Sequence, residues 1–323
     1  PRGYGRVVRE KDHVMAVVEE KDATPEERAI QEVNTGVIAG PTMKFRSWLE
    51  HIEKSPATGE SYLTAIFALA RQENFPICAI AAPKDEALGI NTPFDLACAE
   101  RLYQERLARK CAQEGLFLTD PRRLDVRGEL VFGRDCHLDV GVVLEGRVVL
   151  EDGARVGPYC VLRDAILRVG ATVHPFSVIE GSEVGPGATV GPMARLRPGS
   201  VLEEGVHVGN FVELKKTRMG RGSKAGHLTY LGDSTVGSEA NIGAGTITCN
   251  YDGREKHQTH IGEGAFIGSH TALVAPVAVG EKSYVGAGSI ITRDVPPQML
   301  AVARARQRLL HRRRLKSRPE EQD

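Results

Sequence analysis

The chain has 323 residues, enough for two domains of ordinary size, and its formal net charge is zero. This balance gives no electrostatic reason to expect a nucleic-acid or membrane partner, and no apolar run is long enough to cross a bilayer. Six cysteines are scattered without a CxxC pair or a metal-binding spacing, so we expect reduced thiols in a cytoplasmic protein. No signal peptide is recognisable. Because residue 1 is Pro and not Met, we expect the natural N-terminus to lie upstream, removed by truncation or processing.

Residues 1–92 show alternating strand and helix patterns, which predict an α/β domain with part of a parallel sheet. The predicted strands are Arg6–Val8, Val14–Glu19, Val33–Ala39 and Ile77–Ala82, the last two buried. Helical patterns begin at Thr24 and cover Met43–Lys54 and Leu63–Glu73. Thr24 is the expected N-cap, because Pro25 suits the first helical position and Glu27 can bond back to the cap.

A second capping sequence, Thr92-Pro93-Phe94-Asp95, predicts a longer helix in a linker segment of residues 93–115; the helix runs to about Ala112 and ends before Gly115. Its apolar stripe is narrow and most of its other residues are charged or Gln. A solvated arm that connects two domains fits this pattern better than a core helix.

From about Leu116 a six-residue period dominates, and aliphatic residues recur at 184, 190, 196, 202, 208 and 214 and again at 261, 267, 273, 279, 285 and 291. This period predicts a parallel β-helix over residues 116–303. The register slips at Arg168, and it breaks around Arg218–Leu228 and at Thr248–His260. Insertions in a solenoid leave as loops on one face, where binding often occurs. Residues 304–323 form a basic tail, which is either solvated and mobile or paired with an anionic ligand.

The residues beside the first break include Lys215, Lys224, His227 and Tyr230. Histidine is the natural general base near neutral pH, and an amine that attacks a thioester must lose a proton to such a base. Lysines nearby suit an anionic substrate such as a sugar phosphate. Taken alone, His227 is better explained as an ordinary turn histidine than as a catalytic base.

Four motifs are long enough to carry a family resemblance: RLRPG at 195–199, HVGNFVELKK at 207–216, GSKAGHLTYLG at 222–232 and NIGAGTITCNYDG at 241–253. They closely resemble the bifunctional N-acetylglucosamine-1-phosphate uridylyltransferase / glucosamine-1-phosphate N-acetyltransferases of bacterial cell-wall precursor synthesis. The segments GYGR at 3–6, VEEKD at 18–22 and VNTG at 33–36 resemble the second half of the uridylyltransferase domain. The resemblance covers nearly the whole chain, the basic tail least.

The resemblance implies a left-handed β-helix that transfers acetyl groups from acetyl-CoA to glucosamine 1-phosphate. His227 is implied as the base that deprotonates the amine. The residues implied to bind the sugar phosphate are Arg197, Lys215, Tyr230, Asn241, Asn250 and Lys256. Those implied to bind acetyl-CoA are Ala244, Asn250, Tyr251, Ser269, Ala287 and Arg304. The family is trimeric, with each acetyl-transfer site between neighbouring β-helices.

The resemblance also implies nucleotide-sugar contacts in the N-terminal part, at Gly5, Glu19, Asn34 and Asn91, with Asn91 a Mg²⁺ ligand. In this family the triphosphate loop and the first Mg²⁺ carboxylate precede the segment present here, and Ala65 stands where Asp is common. We therefore expect that the intact parent makes UDP-N-acetylglucosamine from UTP and that this chain alone does not.

Three alternatives remain open on sequence alone. A related hexapeptide acyltransferase for another amino sugar, serine or a xenobiotic would lack the phosphate-binding set. A metal hydratase on this scaffold needs three histidines at a subunit interface, and candidates are present at His207, His227, His257 and His260. A non-enzymatic trimeric scaffold is the third, since fold alone does not define function.

Overall fold

The computed structural model describes residues 2–83 and 86–309. The chain forms two compact units, Pro1–Leu102 and Tyr103–Asp323. The predicted basic tail lies outside the described residues from position 310 onward. No helix in the described ranges is both long and apolar enough to cross a membrane.

The first unit contains an antiparallel hairpin and several short helices. Strands β1 (Arg6–Glu10) and β2 (His13–Val18) pair with each other. The helices are α1 (Pro25–Arg28), α2 (Thr42–Leu49), a 3-10 turn at Leu63–Ala65 and α3 (Ile66–Gln72). Trp48, Ile66 and Ala70 form the centre of a small apolar core.

Two predicted strands of this unit are wrong, and so is the parallel sheet they were to form. Residues 33–39 contribute only an isolated bridge from Val33 to Arg6, and residues 77–82 form no strand. Val37 and Ile80 are 85% and 90% exposed, not buried. Both segments have strand-like composition, but a strand needs a hydrogen-bonded neighbour, and no described segment pairs alongside them. Helix α2 also ends at Leu49, five residues before the predicted Lys54.

The predicted helix starts are confirmed by their caps. Thr24 Oγ1 accepts the Glu27 N–H at 3.2 Å, while Glu27 Oε2 accepts the Thr24 N–H at 2.8 Å. The same exchange joins Thr92 and Asp95 at the start of α4 (Pro93–Gln113), at 3.1 and 2.9 Å. These reciprocal bonds satisfy N–H groups that a helix start otherwise leaves unpaired. Gly115, with φ +105°, follows the helix as predicted.

The second unit is a parallel β-helix, as the six-residue period predicts. In the described residues its strands form one sheet of eleven and one of seventeen strands. The eleven-strand sheet contains Phe117–Leu118, His137–Leu138, Arg155–Val156, Thr172–Val173, Thr189–Val190, His207–Asn210, Lys224–His227, Asn241–Ile242, Phe266–Ile267, Tyr284–Val285 and Leu300–Ala301. The seventeen-strand sheet contains Leu124–Phe132, Val142–Leu150, Val161–Arg163, Ile166–Leu167, Val178–Glu180, Glu183–Val184, Arg195–Arg197, Val201–Leu202, Glu213–Lys215, Arg218–Met219, Tyr230–Gly232, Ser234–Val236, Ile247–Cys249, Thr259–Ile261, Ala272–Val274, Val277–Val279 and Ile290–Ile291.

The aliphatic ladder fills the interior of the coils, and it explains the slips in the period. Leu162 and Leu167 are both fully buried although they lie five positions apart, so one side of that coil is a residue short. Leu214 and Met219 repeat the same five-residue step near the first predicted break. That break is therefore a shortened side with no inserted loop.

The second break is a true insertion. Thr189 pairs with His207 one coil later, a step of 18 residues, whereas Asn241 pairs with Phe266, a step of 25. The extra residues leave the coil between Cys249 and Thr259, and we call residues 250–258 the site loop. Strand pairing continues in register on both sides of this loop.

Candidate active site

His227 ends its strand at a corner of the β-helix, where its side chain is exposed. Its Nδ1 lies 2.6 Å from Oδ1 of Asn210, the residue paired with it on the preceding coil. An amide oxygen only accepts hydrogen bonds, so this contact places a proton on Nδ1, and in the neutral imidazole the lone pair is then on Nε2. No residue within the described ranges bonds Nε2. The imidazole is thus oriented as a base toward solvent.

A group of polar side chains converges around Gly232, five residues beyond the strand that ends at His227. Arg197, Lys215 and Gly232 occupy the same position on three successive strands. A Cβ on Gly232 would contact Tyr230 Oη and would lie 2.7 Å from Asn250 Nδ2. Because residue 232 is a glycine, Tyr230 and Asn250 can occupy this space beside Lys215.

The charges of this group favour an anionic ligand. Contact with the Lys256 ammonium group, followed by burial, lowers the pKa of Lys215 below its ordinary value. One carboxylate, Asp233, lies 4.0 Å from Lys215 Nζ, and Arg197 pairs with Glu213 at 3.0 Å. Two adjacent ammonium groups that share one nearby carboxylate are stabilised by a phosphate, which accepts hydrogen bonds from both.

The site loop delivers Asn250, Tyr251 and Lys256 to this group. Asp252 Oδ1 accepts the N–H groups of Arg254 and Glu255 at 2.8 and 2.7 Å, and Tyr251 bridges to Lys256 as in a small hairpin. His257 closes the loop, with Nε2 2.8 Å from Asp252 Oδ2. These hydrogen bonds, that of His257 foremost, lower the pKa of Asp252. The loop is therefore ordered around an ionised aspartate.

Five of the residues expected at the sugar phosphate are brought together here, whereas Asn241 is not. Asn241 lies on the eleven-strand sheet, between Lys224 and Phe266. The other five belong to the seventeen-strand sheet or to the site loop: Arg197, Lys215, Tyr230, Asn250 and Lys256. Within one copy of the chain, Asn241 thus faces a different side of the β-helix.

Four of the six residues expected at acetyl-CoA form a column along the corner that carries His227, whereas Asn250 and Tyr251 belong to the site loop. Backbone bonds join the coils there: His270 N–H to Ala244 O at 2.7 Å, and Gly288 N–H to Ser269 O at 2.8 Å. Arg304 extends the column by donating to Ala287 O at 2.6 Å. Ala244, Ser269 and Ala287 have small side chains, so they leave an open strip along the surface from His227 toward the last coils. Tyr251 lies apart from this column, in the site loop, and is 60% exposed.

The four histidines considered as metal ligands have separate partners. His207 Nδ1 lies 2.8 Å from Thr189 Oγ1, His227 contacts Asn210, and His257 contacts Asp252. His260 pairs along the sheet with Thr235. Over residues 2–83 and 86–309, no group of three His, Cys, Asp or Glu side chains is placed to hold a metal ion.

In the first unit, three of the four expected nucleotide-sugar residues lie together. Gly5 O accepts the Asn34 N–H at 2.9 Å, and a Cβ on Gly5 would lie 3.3 Å from Glu19 Oε1. Thr64 donates to the same Glu19 oxygen at 2.8 Å. Asn91 lies at the start of α4, where its N–H donates to Asp95 Oδ2 at 3.2 Å.

Sequence reasoning missed three residues that shape the site: Asn210, Gly232 and Asp233. Asn210 bonds His227, and Asp233 Oδ2 accepts the Asn250 amide N–H at 2.5 Å. Both pairs are 17 residues apart, which is one shortened coil. A search for polar residues separated by one coil length would have found them.

A corner histidine with a fixed tautomer, beside a cationic cluster on a parallel β-helix, defines a hexapeptide-repeat acyltransferase. No family model matches the chain. The chain is 49% identical over 313 residues to the bifunctional protein GlmU of Alkalilimnicola ehrlichii and 51% identical over 310 residues to that of Methylococcus capsulatus. These matches cover 96% and 95% of this chain and 68% and 67% of the relatives. The chain belongs to the bifunctional GlmU family. Among solved structures, it is similar to the UDP-N-acetylglucosamine acyltransferase of Francisella novicida, with a TM-score of 0.31 and 14% identity over 58% of this chain and 65% of that one.

Proposed function

We propose that the chain transfers the acetyl group of acetyl-CoA to the amine of glucosamine 1-phosphate, giving N-acetylglucosamine 1-phosphate. The observation that carries this proposal is the fixed His227 tautomer beside the cluster of Arg197, Lys215 and Lys256. A base and a phosphate-binding group together suit a substrate that has both an amine and a phosphate.

In this reaction His227 Nε2 takes a proton from the amine, and the amine lone pair attacks the thioester carbonyl carbon. The carbon–sulfur bond then breaks, and the proton held by His227 passes to the departing thiolate to give the free thiol. Arg197, Lys215, Tyr230 and Lys256 hold the sugar phosphate. Backbone N–H groups at Asn250 and Tyr251 are suited to stabilise the oxyanion.

The column of Ala244, Ser269, Ala287 and Arg304 is the proposed path of the acetyl-CoA chain, because small side chains allow a ligand to lie close to the coils. Arg304 supplies a cation for the phosphates at the far end of the cofactor.

A trimer with sites between subunits is part of the proposal. Asn241 and the Lys215 cluster lie on different sheets of one chain. In this proposal a neighbouring copy supplies Asn241 to the site that His227 and the Lys215 cluster of the first copy define.

For the first unit we propose nucleotide-sugar binding by Gly5, Glu19, Asn34 and Asn91, as part of the synthesis of UDP-N-acetylglucosamine from UTP by the intact parent. Mg²⁺ serves that reaction in the family, and Asn91 would give one amide oxygen. The carboxylates that a Mg²⁺ site needs are not grouped around Asn91 in the described residues.

The decisive experiment compares wild type with His227→Ala and His207→Ala, measuring thiol release from acetyl-CoA with glucosamine 1-phosphate. Loss of a general base lowers kcat by about a hundredfold or more, whereas His207→Ala retains activity. Light scattering checks that both variants keep the wild-type assembly. Full activity in His227→Ala contradicts the base assignment, and equal rates with glucosamine that lacks the phosphate contradict the substrate.

A further inference from the structure

Asp233 is held at a corner between the strand that carries Lys215 and the coil beyond the site loop. Its N–H donates to Lys215 O at 2.9 Å, and its carbonyl accepts the Thr259 N–H at 3.2 Å. The residue has φ +49°, a conformation that aspartate tolerates better than most residues. Its side chain is 14% exposed, so the carboxylate has little freedom to move.

The carboxylate determines how the Asn250 side chain is turned. Asn250 is 7% exposed, and its Nδ2 donates to Asp233 Oδ2 at 2.5 Å. An ionised carboxylate only accepts hydrogen bonds, so the amide NH₂ faces Asp233 and the amide oxygen faces away. No residue in the described part of the chain donates to that oxygen. The Asn250 side chain thus keeps an acceptor without a partner, while its Nδ2 and Tyr230 Oη both lie beside the Cβ position of Gly232, which pairs with Lys215.

We propose that Asp233 is a positioning residue for acetyl transfer, which holds Asn250 so that Oδ1 accepts an N–H of the substrate amine. The proposal rests on the proposed function. An amine that attacks with its lone pair still has N–H donors, and an acceptor at a defined point turns the lone pair toward the thioester.

A second role for Asp233, as a counter-ion of Lys215, makes a different prediction. At 4.0 Å the carboxylate is at the limit of an ion pair with Lys215 Nζ, whereas its contact with Asn250 is short. Asp233→Asn removes the charge but keeps an oxygen that accepts the Asn250 N–H. Asp233→Gly removes both, and glycine adopts a positive φ without strain.

The test uses the full chain with glucosamine 1-phosphate and acetyl-CoA. Asp233→Gly lowers kcat by about tenfold or more, as expected for a lost hydrogen bond to a charged group, while Asp233→Asn stays within about threefold of wild type. Asp164→Gly is the matched control, since Asp164 has φ +47° and lies outside the site.

Two outcomes overturn the proposal: wild-type kcat in Asp233→Gly, or an equal loss in Asp233→Asn. Crystal structures of wild type and Asp233→Gly add a measurement that does not require catalysis. The Asn250 amide rotates in the variant if Asp233 orients it, and an unchanged amide contradicts the proposal. Absence of acetyl transfer by wild type would instead contradict the proposed function, and the two structures would then decide the role of Asp233.

Discussion

Asn210 Oδ1 and His227 Nδ1 lie 2.6 Å apart although the two residues belong to different coils. The stacking of the coils alone brings them together, because the residues are paired neighbours on adjacent strands. The orientation of the proposed base is therefore a property of the solenoid itself, and it does not depend on a bound substrate.

Replacing Asn210 by Ala removes the acceptor that holds the imidazole, so both tautomers and other ring orientations become accessible. We expect kcat to fall about tenfold or more with KM for glucosamine 1-phosphate little changed. Asn210→Asp keeps an acceptor oxygen at the same place and should lose less. Steady-state kinetics of both variants test this, and wild-type kcat in Asn210→Ala would contradict it.

Lys256→Met removes one ammonium group from the pair with Lys215. We expect KM for glucosamine 1-phosphate to rise about tenfold, with a smaller change in kcat, because a charge-assisted hydrogen bond to the phosphate is lost. Lys54→Met, an exposed lysine of the first unit, is the control. A KM unchanged from wild type would place the phosphate elsewhere.

The same variant changes the pH dependence of substrate binding. The pKa of Lys215 is lowered mainly by contact with Lys256, so in wild type the affinity for the phosphate falls as pH rises through this lowered pKa. Without Lys256 the pKa of Lys215 returns toward its ordinary value, and the fall moves to higher pH. KM measured from neutral to alkaline pH gives the direction, and a shift to lower pH would contradict the contact.

Gly232→Ala places a methyl group against Tyr230 Oη and Asn250 Nδ2. We expect a loss of kcat/KM of about tenfold or more, since the two side chains must shift by several tenths of an ångström. Gly226→Ala is the control, because nothing lies within 4 Å of its added Cβ. The two variants should have similar midpoint temperatures of thermal unfolding although their kcat/KM values differ.

The site loop should respond to acid through Asp252. The hydrogen bond from His257 lowers the pKa of Asp252 in the folded chain. The stabilisation is therefore complete above the unfolded pKa of about 3.9 and is lost as pH falls through the lower folded value. Asp252→Asn removes the ionised acceptor at all pH values, so trypsin should cleave after Arg254 or Lys256 faster than in Glu255→Gln. Equal cleavage rates would show that Asp252 does not order the loop.

The β-helix was predictable because a six-residue period leaves few other folds, and Leu196, Leu202, Val208 and Leu214 are buried as the period requires. In the sequence, the shortened sides were visible only as slips in the six-residue period. A side of five residues still places an aliphatic residue in the interior, but it moves the following aliphatic positions by one residue. The absence of strands at residues 33–39 and 77–82 was not predictable, because local composition says nothing about whether a pairing neighbour is present.

The candidate site was partly predictable for a similar reason. Family motifs point to His227, Lys215, Asn250 and Lys256, which carry recognisable side chains. Asn210 and Asp233 contact His227 and Asn250 from one coil earlier. This relationship cannot be read from the sequence until the length of the shortened coil, 17 residues, is known. Asn241 lies in a recognisable family motif, but the motif does not indicate which sheet contains it. That depends on the corner that the chain turns after His227.

The site loop enters and leaves without disturbing the rungs on either side of it: Thr248 stacks on Leu273, and Val236 stacks on Ile261. Length and sequence can therefore change between Cys249 and Thr259 while the walls keep their spacing. In a scaffold of this kind the stacked coils stabilise the fold, whereas the site loop determines which substrate binds. Exchanging loops of other lengths at this one position is accordingly a direct way to obtain transferases with new acceptors.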